Sequence, residues 1–389
     1  MKKKTKKEDY IVFGSPAIEE AEIEEMVKTL RSGWLGTGPK VAQFENMVAE
    51  LSGAEYAMAV NSCTAALHLS LIAAGIGAGD EVITTPLTFS ATANAIIHAG
   101  ATQVFVDVNL KTMNIDEKNI EKAITEKTKA IMPVHLAGRP AEMDAIMKIA
   151  KKHNLLVIED AAHAIGAEYK GKKIGSIGDL TCFSFYVTKN ITTGEGGMVL
   201  TNNKVFADKI KILALHGMSK DAWKRFSDEG YKHYQVIFPG FKYNMMDIQA
   251  SLGIHQLKRI DAYHEKRRHI WDFYNKELKG LPIELPAPLE KDAKHVLHLY
   301  TVLVDEKKAG ISRDRFMQEL HNKGIGTGVH YNPVHLHTYY RHTYGYKPGD
   351  FPNAEYIGAR TVSLPLSAKL TMEEAKRVVK VVKAVLGKK

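Results

Sequence analysis

Two ionisable residues stand 29 positions apart, one at the end of an apolar run and one in a loop of small residues. Asp160 ends the apolar run Val157-Ile158-Glu159-Asp160 and is followed by Ala161-Ala162-His163. Lys189 sits in Phe183-Ser184-Phe185-Tyr186-Val187-Thr188-Lys189-Asn190, ahead of Thr192-Thr193-Gly194-Glu195-Gly196-Gly197. An acid at a strand end and a lysine in a loop of small residues are what pyridoxal phosphate chemistry requires. The carboxylate keeps a pyridine nitrogen protonated, and the lysine holds the aldehyde as a Schiff base and moves a proton. Each residue also has a plainer reading. Asp160 could cap a helix, and a lysine in a polar loop is ordinarily solvated.

Other residues gain meaning only beside that pair. Ser62-Cys63-Thr64 lies where a strand passes into a helix, and free N–H groups at such a junction attract a phosphate. Alone, it reads as an ordinary N-cap. Phe89 follows a strand end, where a flat ring can stack on a pyridine or simply fill a core. His163 is either a neighbour of that ring or a core histidine. Asn244 reads as the cap of a long helix. There is no Gly-x-Gly-x-x-Gly after the first strand and no Gly-Lys-Ser/Thr loop, which disfavours a nicotinamide or P-loop site.

These residues must be positioned by alternating elements. Apolar runs at 57–60, 81–85, 104–108, 130–135, 155–159, 179–185 and 197–201 predict strands. Helical spacing predicts helices at 40–51, 65–74, 90–98, 115–124, 143–153 and 205–215. Ser15-Pro16 predicts the start of a first helix whose Ile23, Met26, Val27 and Leu30 form its apolar stripe, ended by Gly33. The pattern is α/β, with a mostly parallel central sheet covered by helices on both faces. Residues 222–238 read as a loop. A long helix, bent near its middle, spans 246–278. Beyond it, strands at 296–304 and 326–331 and helices at 313–323 and 372–386 predict a smaller C-terminal α+β domain. The expected division is a basic disordered tail over 1–12, a large domain over 13–245 and a small one over 246–389.

Bulk properties narrow the classes. Of the 389 residues, 45% are hydrophobic and 25% charged, the balance of a soluble globular protein. No apolar run reaches the length of a membrane span. The net charge of +9 is partly the lysine-rich start, so it weakly favours an anionic small molecule and argues little for nucleic acid. Cys63 and Cys182 are spaced for neither a zinc site nor a redox pair, which leaves two buried thiols in a reducing cytoplasm. His330, His335, His337 and His342 are not at ligand spacing on a helix, and no metal is expected.

At this level of detail the chain resembles the DegT/DnrJ/EryC1/StrS sugar-nucleotide aminotransferases. The resemblance is carried by Ser32-Gly33-Trp34 to Thr37-Gly38-Pro39, Gly79 to Ile83, Glu159 to His163, Phe183 to Gly197 and Gly240 to Gln249. Within the family, Leu215-His216-Gly217, Gly310 to Asp314 and Gly324 to Gly328 are most similar to the branch that aminates a UDP-linked 4-keto pentose. The resemblance implies a pyridoxal phosphate-dependent transferase of fold type I. Lys189 then matches the Schiff-base lysine and Asp160 the partner of the pyridine nitrogen. Cys63, Thr64 and Ser184 match phosphate contacts, Phe89 the stacking aromatic, and His163 a position beside the ring. Asn244 matches an asparagine that reaches the neighbouring subunit's cofactor, which implies a homodimer. Tyr186 stands at a substrate-contact position where many members have His, a departure from the family pattern, and His330 with the 323–340 loop is a candidate for contacting the sugar nucleotide. The implied activity is transamination of a nucleotide-linked keto sugar with L-glutamate as donor, in amino-sugar biosynthesis for a surface glycan. A dehydratase of the same family, or a non-catalytic regulator, is the alternative; Lys189 rather than His favours the transaminase.

Overall fold

The computed structural model describes residues 10–219 and 234–387. The described residues form thirteen strands: β1 (Tyr56–Val60), β2 (Glu81–Thr84), β3 (Thr102–Phe105), β4 (Thr128–Ile131), β5 (Leu156–Asp160), β6 (Glu168–Tyr169), β7 (Lys172–Lys173), β8 (Leu180–Ser184), β9 (Gly197–Thr201), β10 (Ile283–Glu284), β11 (Ala293–Lys294), β12 (Tyr300–Val304) and β13 (Thr361–Leu364). Seven make the central sheet, in the order β1-β9-β8-β5-β4-β2-β3. The pairs β3/β2, β2/β4, β4/β5 and β5/β8 are parallel; β9 runs antiparallel to both β8 and β1.

Alternating side chains build two cores, one on each face. Ala57, Ala59 and Val157 face one way, onto Val41, Phe44 and Val48 of the helix Pro39–Ser52, Ile146 of the helix Met143–His153, and Ile254 of the helix Asp247–Lys258. Met58, Val60 and Ile158 face the other way, onto the helices Cys63–Ala73, Ser90–His98 and Lys204–Leu213. The sheet is thus buried on both sides, which is why its strands read as continuous apolar runs.

The second part of the chain is a three-stranded antiparallel sheet, β10-β12-β13, covered by the helices Ile260–Glu277, Arg313–Asn322 and Met372–Val385. The long helix does break near its middle: it stops at Lys258 and resumes at Ile260 across Arg259, whose φ and ψ are −106° and 9°. The first half packs with the large sheet and the second with the small one. We place the division between the two parts at that break.

Several local expectations need correction. The first helix begins at Glu20, not after Ser15-Pro16. Glu22 turns back to accept the backbone N–H of Glu19 at 3.1 Å, so the start is set by an acid box. Gly33 does end it, with φ 75°. The apolar stripe is turned outward: Ile23 is 48% exposed, Val27 36% and Leu30 51%, while Glu22 and Thr29 are buried. Glu22 faces inward because Gln256 and Arg259 satisfy its carboxylate. Asn244 does not cap the Asp247–Lys258 helix. There the N-cap N–H, on Met246, is bonded by the Gln249 side chain at 3.0 Å. Residues 326–331 are not a strand; Gly328 makes a single bridge to Ser363 of β13, which is the strand that completes the small sheet. The basic tail does not reach residue 12, because Ile11 is buried and bridges Ile325. The loop expected over 222–238 lies largely outside the described residues. Among the described residues no helix is long and apolar enough to cross a membrane, and no group of His, Cys, Asp and Glu is arranged to hold a metal ion.

Candidate active site

A cavity of about 530 Å³ opens at the C-terminal ends of the parallel strands, where α/β sheets bind their ligands. Cys63, Thr64, Phe89, Asp160, His163, Ser184, Tyr186, Lys189 and His330 all line it. Residues scattered over more than 260 positions of sequence are thereby brought to one place, Cys63, Thr64, Phe89, Asp160 and Ser184 by the start of a helix or the end of a strand and the others by the segments between elements.

Asp160 is the last residue of β5 and is buried. Its Oδ2 accepts the Thr92 hydroxyl at 2.7 Å, and its Oδ1 accepts the Ala162 N–H at 3.1 Å. No helix follows, so it is not an N-cap. Burial raises its pKa above the usual carboxylate value, the two hydrogen bonds and Lys189 opposing. A desolvated carboxylate on a cavity wall, held in place by neutral donors, makes no direct ion pair among the described residues; a protonated pyridine ring would supply one. Glu159, its neighbour, points to the opposite face. There it accepts Gly178 N–H and Thr181 Oγ1, each at 2.8 Å, and pairs with His135 Nε2 at 2.7 Å. The pleat gives two adjacent acids separate duties.

Lys189 sits after the β8 end in a loop tied to itself. Its N–H donates to Tyr186 C=O at 2.9 Å, Thr192 Oγ1 to Phe185 C=O at 3.0 Å, and Gly194 N–H to Thr192 Oγ1 at 2.9 Å. Burial holds its ammonium down, to about 8, with Cys63 and Asp160 acting the other way. Such an amine is a usable nucleophile and proton carrier near neutral pH.

Ser62 caps the helix Cys63–Ala73 by accepting Ala65 N–H at 3.1 Å. That leaves N–H groups at the helix start facing the cavity beside the buried Ser184 of β8. Gly197 of β9 makes the approach possible: a Cβ there would lie 2.4 Å from Ser62 C and O and 2.6 Å from Cys63 N. Gly197 thus lets β9 pass directly against the backbone of the helix start, where Ser62, Cys63 and Thr64 line the cavity beside Ser184, donors of the kind that hold a phosphate. The Cys63 thiol, pushed well up by burial, donates to Cys182 C=O and is no nucleophile. Both cysteines are free, but only Cys182 is fully buried.

Phe89 is 60% exposed, so it is not core; its ring looks into the cavity from the start of the helix Ser90–His98. His163 lies on another wall. The Ala137 N–H donates to its Nδ1 at 3.2 Å, which puts the ring proton on Nε2, 3.2 Å from Tyr331 Oη. Burial keeps it neutral, its pKa well below the usual value. His330 stacks on Phe13 at 5.4 Å and shares a hydrogen bond with Ser363 Oγ at 2.8 Å; burial lowers its pKa to about 4. Tyr186 is 44% exposed at the mouth. Asn244 alone of the expected residues lies away from this cavity, its Nδ2 bonded to Thr37 Oγ1 at 2.7 Å. Sequence reasoning missed Thr92 and His298, whereas Tyr331 falls within the 323–340 stretch expected near the sugar nucleotide. Thr92 has no sequence signal. Tyr331 adjoins His330 in an irregular segment that reads as a strand.

A strand-end carboxylate, a buried-loop lysine and a phosphate cradle on one doubly covered α/β sheet define a pyridoxal phosphate-dependent transferase of fold type I. The DegT/DnrJ/EryC1/StrS aminotransferase family profile matches residues 16–383, and the chain belongs to that family. It is 50% identical over 382 residues to the spore coat polysaccharide biosynthesis protein SpsC of Bacillus subtilis, covering 98% of each chain. Among solved structures, Spr1654 of Streptococcus pneumoniae in its PMP form superposes with a TM-score of 0.90 at 37% identity, covering 97% of this chain and 98% of that one. It has also been solved in a PLP form. PseC of Helicobacter pylori, an aminotransferase involved in the biosynthesis of pseudoaminic acid, matches with a TM-score of 0.90 at 32% identity, covering 97% and 99%. These relatives span more than one branch of the family and do not single out the UDP-pentose branch.

Proposed function

We propose that the protein transfers the amino group of L-glutamate to a 4-keto sugar carried on a nucleotide, giving an amino sugar for a surface polysaccharide and releasing 2-oxoglutarate. The observation that carries this reading is the convergence of Lys189 and Asp160 on one cavity whose mouth is left open by Phe89 and Tyr186. When bound, pyridoxal phosphate supplies an aldehyde that exchanges with amines and a ring that draws electrons from the carbon losing its proton. Asp160 would hold the ring nitrogen's proton. The Cys63 and Thr64 N–H groups with the Ser184 hydroxyl would hold the phosphate, and Phe89 and His163 would bracket the ring. Lys189, with an ammonium that titrates at about 8, takes and returns the proton at Nζ in both half-reactions. His330 and Tyr186, which line the same cavity, would meet the sugar.

The same reading includes a homodimer in which Asn244 serves the neighbouring site. Two features support it: Asn244 lies outside its own chain's cavity, and Ile23, Val27, Leu30, Trp34 and Leu35 expose an apolar face near it. A cytoplasmic location accords with the two free cysteines.

The test is amination of a panel of 4-keto and 3-keto sugars on UDP, GDP and dTDP with ¹⁵N-glutamate, followed by mass spectrometry of the sugar. Incorporation of ¹⁵N into a 4-keto sugar nucleotide is expected; release of 2-oxoglutarate with no ¹⁵N in any sugar would reject it. Mixing inactive Asn244→Ala and Lys189→Ala proteins should restore activity through hybrid dimers, and no restoration would count against the shared site.

A further inference from the structure

Behind the Lys189 loop lies a second, smaller cavity of about 60 Å³. Arg267, from the middle of the helix Ile260–Glu277, lines it and is 3% exposed. Its Nε and Nη1 find no partner among the described residues, and neither does Nδ1 of His264, one turn earlier on the same face. Lys173 and Lys294 also line the cavity, against the single carboxylate of Asp261. That carboxylate is spent outside: its side chain is 86% exposed and lies 3.6 Å from Lys294 Nζ. Lys173 pairs with Glu168 at 3.1 Å, and both are partly exposed.

A buried guanidinium with unmet donors is costly, and a few waters would satisfy its N–H groups without balancing its charge. Burial has already lowered its pKa to about 10. The space suits one tetrahedral oxyanion and is too small for a sugar or a base. We propose that this cavity binds a small inorganic oxyanion, phosphate or sulfate, with Arg267 as its main ligand and Lys294 and Lys173 at its entrance. The site is separate from the main cavity but touches its wall. Asn190, next to Lys189, lines the small cavity, donates to Val296 C=O at 2.9 Å and shares a hydrogen bond with His298 Nδ1 at 2.9 Å. The His298 ring in turn lies 4.4 Å from that of His163. The anion thus braces the loop that carries Lys189.

The test is thermal unfolding of the cofactor-saturated enzyme, so that the cofactor's own phosphate site is filled, titrated with phosphate and with sulfate against chloride at constant ionic strength. The native protein should show a saturable rise in Tm of a few degrees. Arg267→Met, which swaps an unpaired buried charge for an apolar chain of similar length, should fold and show no rise. Lys294→Ala, at the partly exposed entrance, should keep the rise with a half-saturating concentration increased several-fold. No rise above the chloride control in the native protein, an equal rise in Arg267→Met, or an unchanged midpoint in Lys294→Ala would overturn the proposal.

Discussion

Adding one methyl group at Gly197 tests the phosphate cradle without touching a side chain of the site. The new Cβ would stand 2.4 Å from Ser62 C and O and 2.6 Å from Cys63 N, where ordinary contact begins near 3.4 Å. About 1 Å of separation must therefore be found between two stretches of backbone. Neither yields easily. Gly197 is paired on both sides, to Val60 of β1 and to Ser184 of β8. The helix start is held by Ala65 N–H on Ser62 Oγ and Ala66 N–H on Ser62 C=O, each at 3.1 Å, and by Asn61 N–H on Tyr243 C=O at 2.7 Å. Overpacking of this kind costs about 1–3 kcal/mol, which in a chain of 389 residues lowers the Tm of the cofactor-free protein by about 1–4 °C. The displaced N–H groups lose charge-assisted hydrogen bonds worth about 1.5–3 kcal/mol each, so pyridoxal phosphate affinity falls roughly 10- to 100-fold per bond lost. Cofactor-free melting and a spectroscopic cofactor titration separate the two effects. A Gly197→Ala protein that melts with the native and binds the cofactor within twofold of it would refute both the tight approach and its role.

Three further outcomes follow from the charged groups. Asp160→Asn keeps the shape and the Ala162 and Thr92 contacts, and should lower turnover by roughly 100-fold or more. Because the folded pKa of Asp160 lies above 3.8, its ionisation costs stability as pH rises through that window. Cofactor-free Asp160→Asn should therefore melt above the native protein at pH 7, the gap closing as pH falls toward 3.8. Lys189 has the opposite sign. Its folded pKa of about 8 lies below the ordinary 10.5, so holding the ammonium costs stability below about 8 and that cost fades by 10.5. The rate of cofactor attachment, followed by stopped-flow absorbance against pH, should accordingly have its midpoint near 8; a midpoint above 10 would contradict the burial argument. Glu159→Ala should be far more damaging to the fold than Asp160→Asn, by about 3–5 kcal/mol in denaturant melts, because it strips His135, Thr181 and Gly178 of their common buried acceptor.

The sheet and the heart of the site were legible because they rest on local rules. Val157 to Asp160 announces a doubly buried strand, and the Thr- and Gly-rich run around Lys189 announces a tight loop. What escaped depended on partners distant in sequence. The stripe Ile23, Val27 and Leu30 obeys helical periodicity, yet faces outward, because Glu22 finds Gln256 and Arg259 more than 230 positions away. Periodicity finds an apolar face but does not say whether the chain itself covers it. Thr92 resembles any helix threonine until the fold sets it against Asp160. Residues 326–331 look like a strand, but Ser363 of β13 allows Gly328 only one bridge. Asn244 is a favoured cap residue, but the helix starts only at Asp247 and the Asn244 amide is turned to Thr37.

The account stands on Lys189 as the residue that holds the cofactor. Treating the cofactor-loaded enzyme with borohydride, digesting it and mapping the peptides by mass spectrometry tests this directly. The expected result is a single reduced pyridoxyl adduct on the peptide bearing Lys189, absent after prior incubation with L-glutamate, which as the proposed donor would convert the cofactor to its amine form. An adduct on another lysine, or none at all in a protein that still binds the cofactor, would contradict it.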